Sequence, residues 1–179
     1  MSVEIKEFSK DLKQRFNVEV ERLRGVLGPD VAIEHVGSSA VGIGGKNIVD
    51  ILVGVNTTDD MVTARDLLTL VGYREGHDTH PERIFMAFRA DDDGTDRETG
   101  EGDLHVHIVV KGSEECERMI RLRDYLRSHP EKAQEYFEMK KIFAHEVGYD
   151  RKKYKALKSE YVSDLIKEME KEEYTKTKK

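Results

Sequence analysis

Residues 33–55 read IEHVGSSAVGIGGKNIVDILVGV, and this stretch decides the fold. Two apolar runs, at 31–36 and 48–55, flank a segment that is rich in glycine and serine. Each run has the length and composition of a β-strand. Glycine tolerates positive φ and lets the backbone approach a ligand closely. The stretch therefore predicts a tight Gly/Ser loop between two strands.

Polar side chains in this loop form a candidate phosphate-binding site. Gly37, Ser38 and Ser39 offer backbone N–H and hydroxyl groups that can hold phosphate oxygens. Lys46 adds a positive charge suited to the same oxygens. Asp50 is the only charge in the second strand, and its burial would be costly without a metal or a donor beside it. A plain connecting loop is an equal alternative on physical grounds, since the spacing matches neither the P-loop nor the dinucleotide-binding pattern.

A pair of histidines suggests a metal site. His105 and His107 lie two apart in a strand predicted at 104–111, so both side chains leave the same face of the sheet. If that strand lies near the one at 48–55, Asp50 can join the two imidazoles, and such a set can ligate a divalent transition metal. The alternative is that the histidines are hydrogen-bonded residues of the core or of a sheet edge.

Four further side chains are candidate ligand contacts. His35 precedes the Gly/Ser loop and could orient it, or it could bond to backbone at the end of its strand. Arg83, Arg123 and Lys158 carry positive charges that could reach a phosphate, and a guanidinium group suits bidentate contacts. The structural alternative for the helical residues among them is a solvated face with paired charges.

The rest of the chain predicts the elements that surround the loop. Hydrophobic spacing indicates helices at 3–27, 60–71, 113–128, 131–146 and 151–172. It indicates further strands at 83–89 and 104–111, and a weaker one near Tyr73. Segment 90–103 has no large apolar residue and is interpreted as a hairpin loop, and 171–179 as a frayed end. The predicted fold is α+β or α/β, with a mixed sheet of four or five strands. It forms one domain with a core at about 1–111 and a helical C-terminal part at about 113–172.

Composition limits the classes of protein. The chain has 179 residues and a net charge of −6, with a pI near 5.7. We do not expect nucleic acid to be a partner, because non-specific binding to nucleic acid needs a basic surface. No apolar run reaches the length of about 18 residues that indicates a transmembrane helix, and the charged N-terminus is not a signal peptide. With Cys116 as the only cysteine, we expect a cytoplasmic protein without an internal disulfide or a membrane partner.

Several motifs together resemble the GrpB family of the nucleotidyltransferase superfamily. They are EHVGSSAV at 34–41, Lys46, IVDILV at 48–53, LHVHIV at 104–109, RLRDYLR at 121–127, the segment 136–140, Tyr154 and Lys158. The resemblance covers nearly the whole chain, about 31–162. It implies a nucleotidyltransferase-like fold that binds a nucleotide or another phosphate-bearing small molecule. It also implies possible metal-dependent nucleotidyl or phosphoryl transfer to an unidentified acceptor, with Mg²⁺ or Mn²⁺ held by Asp50, His105 and His107.

The chain departs from the superfamily pattern at the catalytic strand. That strand normally carries two acidic residues two apart, and here the second position is Leu52. His105 and His107 occupy the place of the usual third acid, which leaves Asp50 as the one catalytic candidate. We therefore expect weak or absent transfer with Mg²⁺. The alternatives are a non-catalytic nucleotide-binding or regulatory module and a small metal-dependent hydrolase. Asp50→Asn is expected to leave stability equal or higher, because an uncompensated buried charge is removed.

Overall fold

The computed structural model describes residues 3–77, 80–88 and 104–178, so the hairpin loop predicted at 90–103 lies outside the described residues. The elements are α1 (Asp11–Leu27), β1 (Ala32–Val36), α2 (Gly37–Val41), β2 (Val49–Val55), α3 (Thr58–Leu70), β3 (Arg74–Glu75), β4 (Arg83–Phe88), β5 (Leu104–Val110), α4 (Glu114–Ser128), α5 (Pro130–Glu146) and α6 (Arg151–Thr177). The fold is of the α+β class, which confirms the prediction. None of the described helices has the length and apolar character needed to cross a membrane.

The five strands of the described residues form one mixed sheet in the order β1-β2-β5-β4-β3. Strands β2 and β5 are parallel, and the other neighbouring pairs are antiparallel. The register places Asp50 opposite His105 and Leu52 opposite His107. Because directly paired residues leave the same face of a sheet, Asp50 and both histidines lie on one face.

Helices α1 and α3 cover the face opposite to Asp50. Leu12 and Leu23 of α1 and Leu68 of α3 pack against Ile51 and Ile108 of the central strands. Burying each such side chain contributes about 1.5–3 kcal/mol, so this layer fixes the position of β2 and β5.

The C-terminal helices cover the face that carries Asp50. Leu52 and Val109 of the sheet pack with Cys116 of α4. Helices α4, α5 and α6 share a second cluster, in which Tyr136 of α5 and Met169 of α6 are buried. The helical C-terminal part therefore forms a wall over the central strands, beside Asp50.

Helix α3 shows how local sequence sets an element boundary. Thr57 Oγ1 accepts from the backbone N of Asp60 at 3.1 Å, and Asp60 Oδ2 accepts from the backbone N of Thr57 at 3.0 Å. This capping box satisfies two backbone donors that the first helical turn leaves unpaired. The observed start of α3 follows from it.

The chain before α1 differs from the helix that was predicted from residue 3. Val3 N donates to Tyr149 O at 2.9 Å, and Lys6 pairs with Gly45 in an isolated bridge. Val3 is buried against α5 and α6. These contacts to distant parts of the chain outweigh the local helical spacing, so residues 3–10 are not part of α1.

Two further boundaries correct the prediction. The Gly/Ser segment does not begin as a loop, since Gly42 N donates to Ser38 O at 3.1 Å and closes the short helix α2. Helix α6 continues to Thr177, so the segment predicted to fray is helical over 171–177. Glu172 and Lys176 form an i,i+4 ion pair at 2.6 Å on that last stretch, which stabilises the helix locally.

Candidate functional site

A cleft of about 110 Å³ lies beside Asp50, between the α2–β2 segment and the C-terminal helices. Its volume suits several water molecules or one phosphate-sized group. Its lining includes six residues that the sequence singles out: Ser38, Ser39, Lys46, Asp50, His105 and Lys158. Tyr136 of α5 and Tyr154 of α6 also line it. The structure therefore gathers most of the predicted site from elements far apart in the sequence.

The carboxylate of Asp50 is paired with both histidines. Asp50 Oδ1 lies 3.2 Å from His105 Nδ1 and 3.5 Å from His107 Nε2. The Asp50 side chain is 26% exposed, and each histidine side chain is 12% exposed. Burial alone would raise the pKa of Asp50, but the hydrogen bonds and charges of the two histidines hold that pKa well below its usual range. The prediction that the three side chains share one face is confirmed, whereas the expectation of an uncompensated charge is wrong.

The donor set does not fit the predicted Mg²⁺ or Mn²⁺. His107 Nδ1 is buried without a hydrogen-bond partner among the described residues, and burial lowers the pKa of His107. Within 3–77, 80–88 and 104–178, however, no group of three or more His, Cys, Asp or Glu side chains is arranged to hold a metal ion. Leu52, which stands where a second acid is usual, is 1% exposed in an apolar cluster. Asp50 therefore has no second carboxylate beside it in the described structure.

Lysines of the C-terminal helices bring positive charge to the cleft instead. Lys140 is 2% exposed, and its Nζ donates to Ser38 Oγ at 2.8 Å and to the carbonyl of Gly44. Burial lowers the pKa of Lys140 to about 7, and the charge of Lys158 acts in the same direction. Burial also lowers the pKa of Lys158, while Asp50 opposes the shift.

Lys140 is the site residue that the sequence reasoning missed. Its signal is its place in the buried stripe of α5, where Tyr136, Lys140 and Phe143 follow at helical spacing. A lysine in such a stripe is unusual, because a buried ammonium group needs a partner. The partner here, Ser38, is 102 residues away in the chain, so no local pattern indicates it.

His35 supports the loop from outside the cleft. Its ring stacks on Phe16 of α1, with 4.3 Å between ring centroids, and its Nε2 lies 2.9 Å from Ser39 Oγ. Burial lowers the pKa of His35 to about 4, so the imidazole is neutral at pH 7. This placement matches the loop-orienting alternative, since His35 does not line the cleft.

Gly37 lies against the Asp50 carboxylate, although it does not line the cleft. Its φ is 70°, a conformation that glycine adopts without strain. A Cβ atom at this position would lie 2.5 Å from Asp50 Oδ2. Glycine is therefore required here both by the backbone conformation and by the closeness of the carboxylate.

The two arginines predicted as ligand contacts are engaged by carboxylates and do not line the cleft. Arg83 donates to the buried carboxylate of Glu115. Arg123 Nη1 donates to Glu34 Oε2 at 2.6 Å and to the carbonyl of His35 at 3.1 Å. These contacts join α4 to β4 and β1, so the structure gives both arginines a role in holding the layers together.

Asp50→Asn should lower the free energy of unfolding at pH 7 by about 1–3 kcal/mol, because an amide replaces the charged acceptor of two hydrogen bonds. The folded-state pKa of Asp50 lies below the ordinary aspartate value of 3.8. The stabilisation is therefore present above that value and is lost as the pH falls below it. Urea unfolding of both proteins at pH 7 and pH 3 measures this, with the exposed Asp164→Asn as the matched control. A variant as stable as the wild type at pH 7 would contradict the conclusion that the hydrogen bonds of Asp50 with His105 and His107 stabilise the fold.

Comparison with known proteins identifies relatives over nearly the whole chain. The family model described as GrpB protein matches residues 2–168. A UPF0157 protein of Halalkalibacterium halodurans is 32% identical over 172 residues, which cover 93% of this chain and 82% of that protein. The crystal structure of the conserved protein GrpB from Enterococcus faecalis is similar with a TM-score of 0.78 and 25% identity, and the match covers 96% of this chain and 99% of that chain.

A solved structure of a terminal uridylyl transferase has a similar fold. A structure of Cid1, which is described by its RNA terminal uridylyl transferase activity, is similar with a TM-score of 0.50 and 18% identity. The match covers 76% of this chain and 40% of that chain. At this identity the likeness shows a shared nucleotidyltransferase-like fold and carries no statement about activity.

Proposed function

The chain belongs to the GrpB protein family, and from that premise we propose that it binds a nucleotide, or another small molecule with phosphate groups, in the cleft beside Asp50. The observation that carries the proposal is that Ser38, Lys46 and Lys158 converge on one cleft. Hydroxyl and ammonium groups are effective ligands of phosphate oxygens. The phosphates would lie against these side chains.

Local charge supports an anionic ligand despite the net charge of −6 on the whole chain. Lys46 and Lys158 line the cleft, and Lys140 bonds to Ser38 in its wall. Asp50 is the one carboxylate in the lining. A cleft with this excess of positive groups attracts anions and raises their local concentration.

Transfer of a nucleotidyl or phosphoryl group is a second candidate. Its support is the place of Asp50 on a central strand of a nucleotidyltransferase-like sheet, beside His105. Two-metal transfer uses several carboxylates to hold both ions. Here Leu52 stands at one of the positions where such a carboxylate is usual. We therefore propose binding as the main function. That nucleic acid is not a partner stays a prediction from the net charge.

Isothermal titration calorimetry with ATP, GTP, CTP and UTP tests the proposal, each in excess EDTA, in MgCl₂ and in MnCl₂. We expect at least one nucleotide to bind. Ser38→Ala should weaken that binding by about 0.5–2 kcal/mol, because a hydrogen-bonding hydroxyl is lost. The exposed Ser159→Ala on α6 is the control and should bind as the wild type does. Absence of binding for every nucleotide in all three solutions would refute the proposed function.

A further inference from the structure

We propose that Lys140 and Lys158 supply the positive charge that divalent metal ions supply in two-metal transferases, so that the cleft binds the metal-free form of a polyphosphate anion. The inference rests on the proposed function, because it specifies the charge state of the ligand in the same cleft. It also explains the mismatch between a nucleotidyltransferase-like sheet and a donor set with a single carboxylate.

The first support is that the Asp50 carboxylate is already hydrogen-bonded within the protein. Asp50 Oδ1 accepts from both His105 and His107, which leaves Oδ2 as its one oxygen without an imidazole. Oδ2 in turn lies against Gly37, where an added Cβ would approach it to 2.5 Å. The metal ion of a metal–polyphosphate complex would therefore gain few oxygen ligands from Asp50. It would also lie near the positive charges of Lys140 and Lys158.

The second support is the position of Lys158. It lines the cleft and is half-buried, and in the part of the chain that the structure describes its ammonium group has no hydrogen-bond or ion-pair partner. A partly buried charge without a partner is unfavourable. An anion in the cleft would provide that partner, whereas a bound metal ion would repel the ammonium group.

The third support is the hydrogen bonding of Lys140. Its ammonium group has three hydrogens, of which Ser38 Oγ and the carbonyl of Gly44 each accept one. Because Ser38 Oγ accepts from Lys140, its own hydroxyl hydrogen is available to a phosphate oxygen in the cleft. Lys140 therefore acts partly through Ser38, as a residue that positions a donor toward the ligand.

Calorimetry with ATP and with inorganic pyrophosphate, each in excess EDTA and in excess MgCl₂, tests the inference. We expect binding in EDTA to be as tight as in MgCl₂ or tighter. Lys158→Met should weaken binding in EDTA about 10- to 100-fold, the effect of losing a charged hydrogen bond. Lys158→Arg, which keeps the charge, should retain most of the affinity. Lys155→Met, an exposed lysine on the same helix, is the matched control and should bind as the wild type does.

The outcomes separate the two proposals. Binding that requires Mg²⁺ or Mn²⁺ overturns the inference and leaves the proposed function intact. Binding in EDTA that is unchanged by Lys158→Met shows that Lys158 does not supply the charge and also overturns the inference. Absence of binding by any nucleotide in any solution refutes the proposed function itself. Circular dichroism melting of each variant verifies that a loss of binding is not a loss of fold.

Discussion

Lys140→Met is expected to raise the free energy of unfolding at pH 7 by about 1–4 kcal/mol, the range found when a buried ion pair is replaced by apolar side chains, because its buried ammonium group is costly to desolvate and has only neutral acceptors. Lys140 is almost fully buried, and its ammonium lies 4.7 Å from the centre of the Tyr136 ring. Methionine keeps the packing against that ring and removes the desolvated charge. The same substitution should weaken phosphate binding, since it removes the donor that orients Ser38.

The gain in stability should depend on pH. Burial lowers the pKa of Lys140 from the ordinary lysine value of 10.5 to about 7. As the pH falls from 10.5 to 7, the unfolded chain takes up a proton that the folded protein resists, so the wild type loses stability over that window. The advantage of Lys140→Met should therefore be largest at pH 7 and below, and it should shrink toward pH 10.

Urea unfolding of both proteins between pH 6 and pH 10 measures this dependence, and calorimetry on the same samples measures ligand affinity. Lys155→Met serves as the control for removal of an exposed lysine. A variant that is less stable than the wild type at pH 7 would show a different role for Lys140. Its bonds to Ser38 and to the carbonyl of Gly44 would then be an anchor of the α2–β2 segment.

Gly37→Ala is expected to lower the free energy of unfolding by about 2–5 kcal/mol and to abolish ligand binding in the cleft. One part of the loss is the strain of a non-glycine residue at φ of 70°, about 1–2 kcal/mol. The other part is the overlap of the new methyl group with the Asp50 carboxylate, and overpacking of this kind costs about 1–3 kcal/mol. The methyl group would also push Asp50 away from His105 and His107.

Gly42→Ala separates these two effects. Gly42 also has positive φ, at 89°, but a Cβ atom there would meet nothing within 4 Å. It should therefore show the conformational strain without the overlap, and it should leave ligand binding close to that of the wild type. Urea unfolding and nucleotide calorimetry on the two variants test the difference. Equal losses in both would show that the Asp50 contact has no effect of its own.

Much of the fold follows from periodicity that the sequence carries locally. The apolar run at 48–55 becomes β2, because continuous apolar runs suit strands buried on both faces. The two-residue spacing of His105 and His107 fixes them on one face of β5. The helices of the C-terminal part begin and end within a few residues of their predicted bounds, except at 171–177, since capping residues and Pro130 act locally.

The site depends on separations that no local pattern encodes. Asp50 and His105 are 55 residues apart, and Ser38 and Lys140 are 102 apart. The sequence indicates that Asp50 and the histidine pair are unusual residues for buried strands. It does not indicate that both histidines would hydrogen-bond to Asp50, because that depends on the parallel pairing of β2 with β5.

The sequence by itself determined most of the helices and strands, the shared face of His105 and His107, and the Gly/Ser segment between the first two strands. Only the tertiary structure decided which partner each charged side chain contacts. It placed Lys140 against Ser38 and turned Arg123 toward Glu34, away from the cleft. The physical reason is that helical hydrogen bonding and the alternation of side chains along a strand are short in range. The pairing of buried charges, in contrast, is settled by the packing of whole layers, where each charge must find a partner from another element.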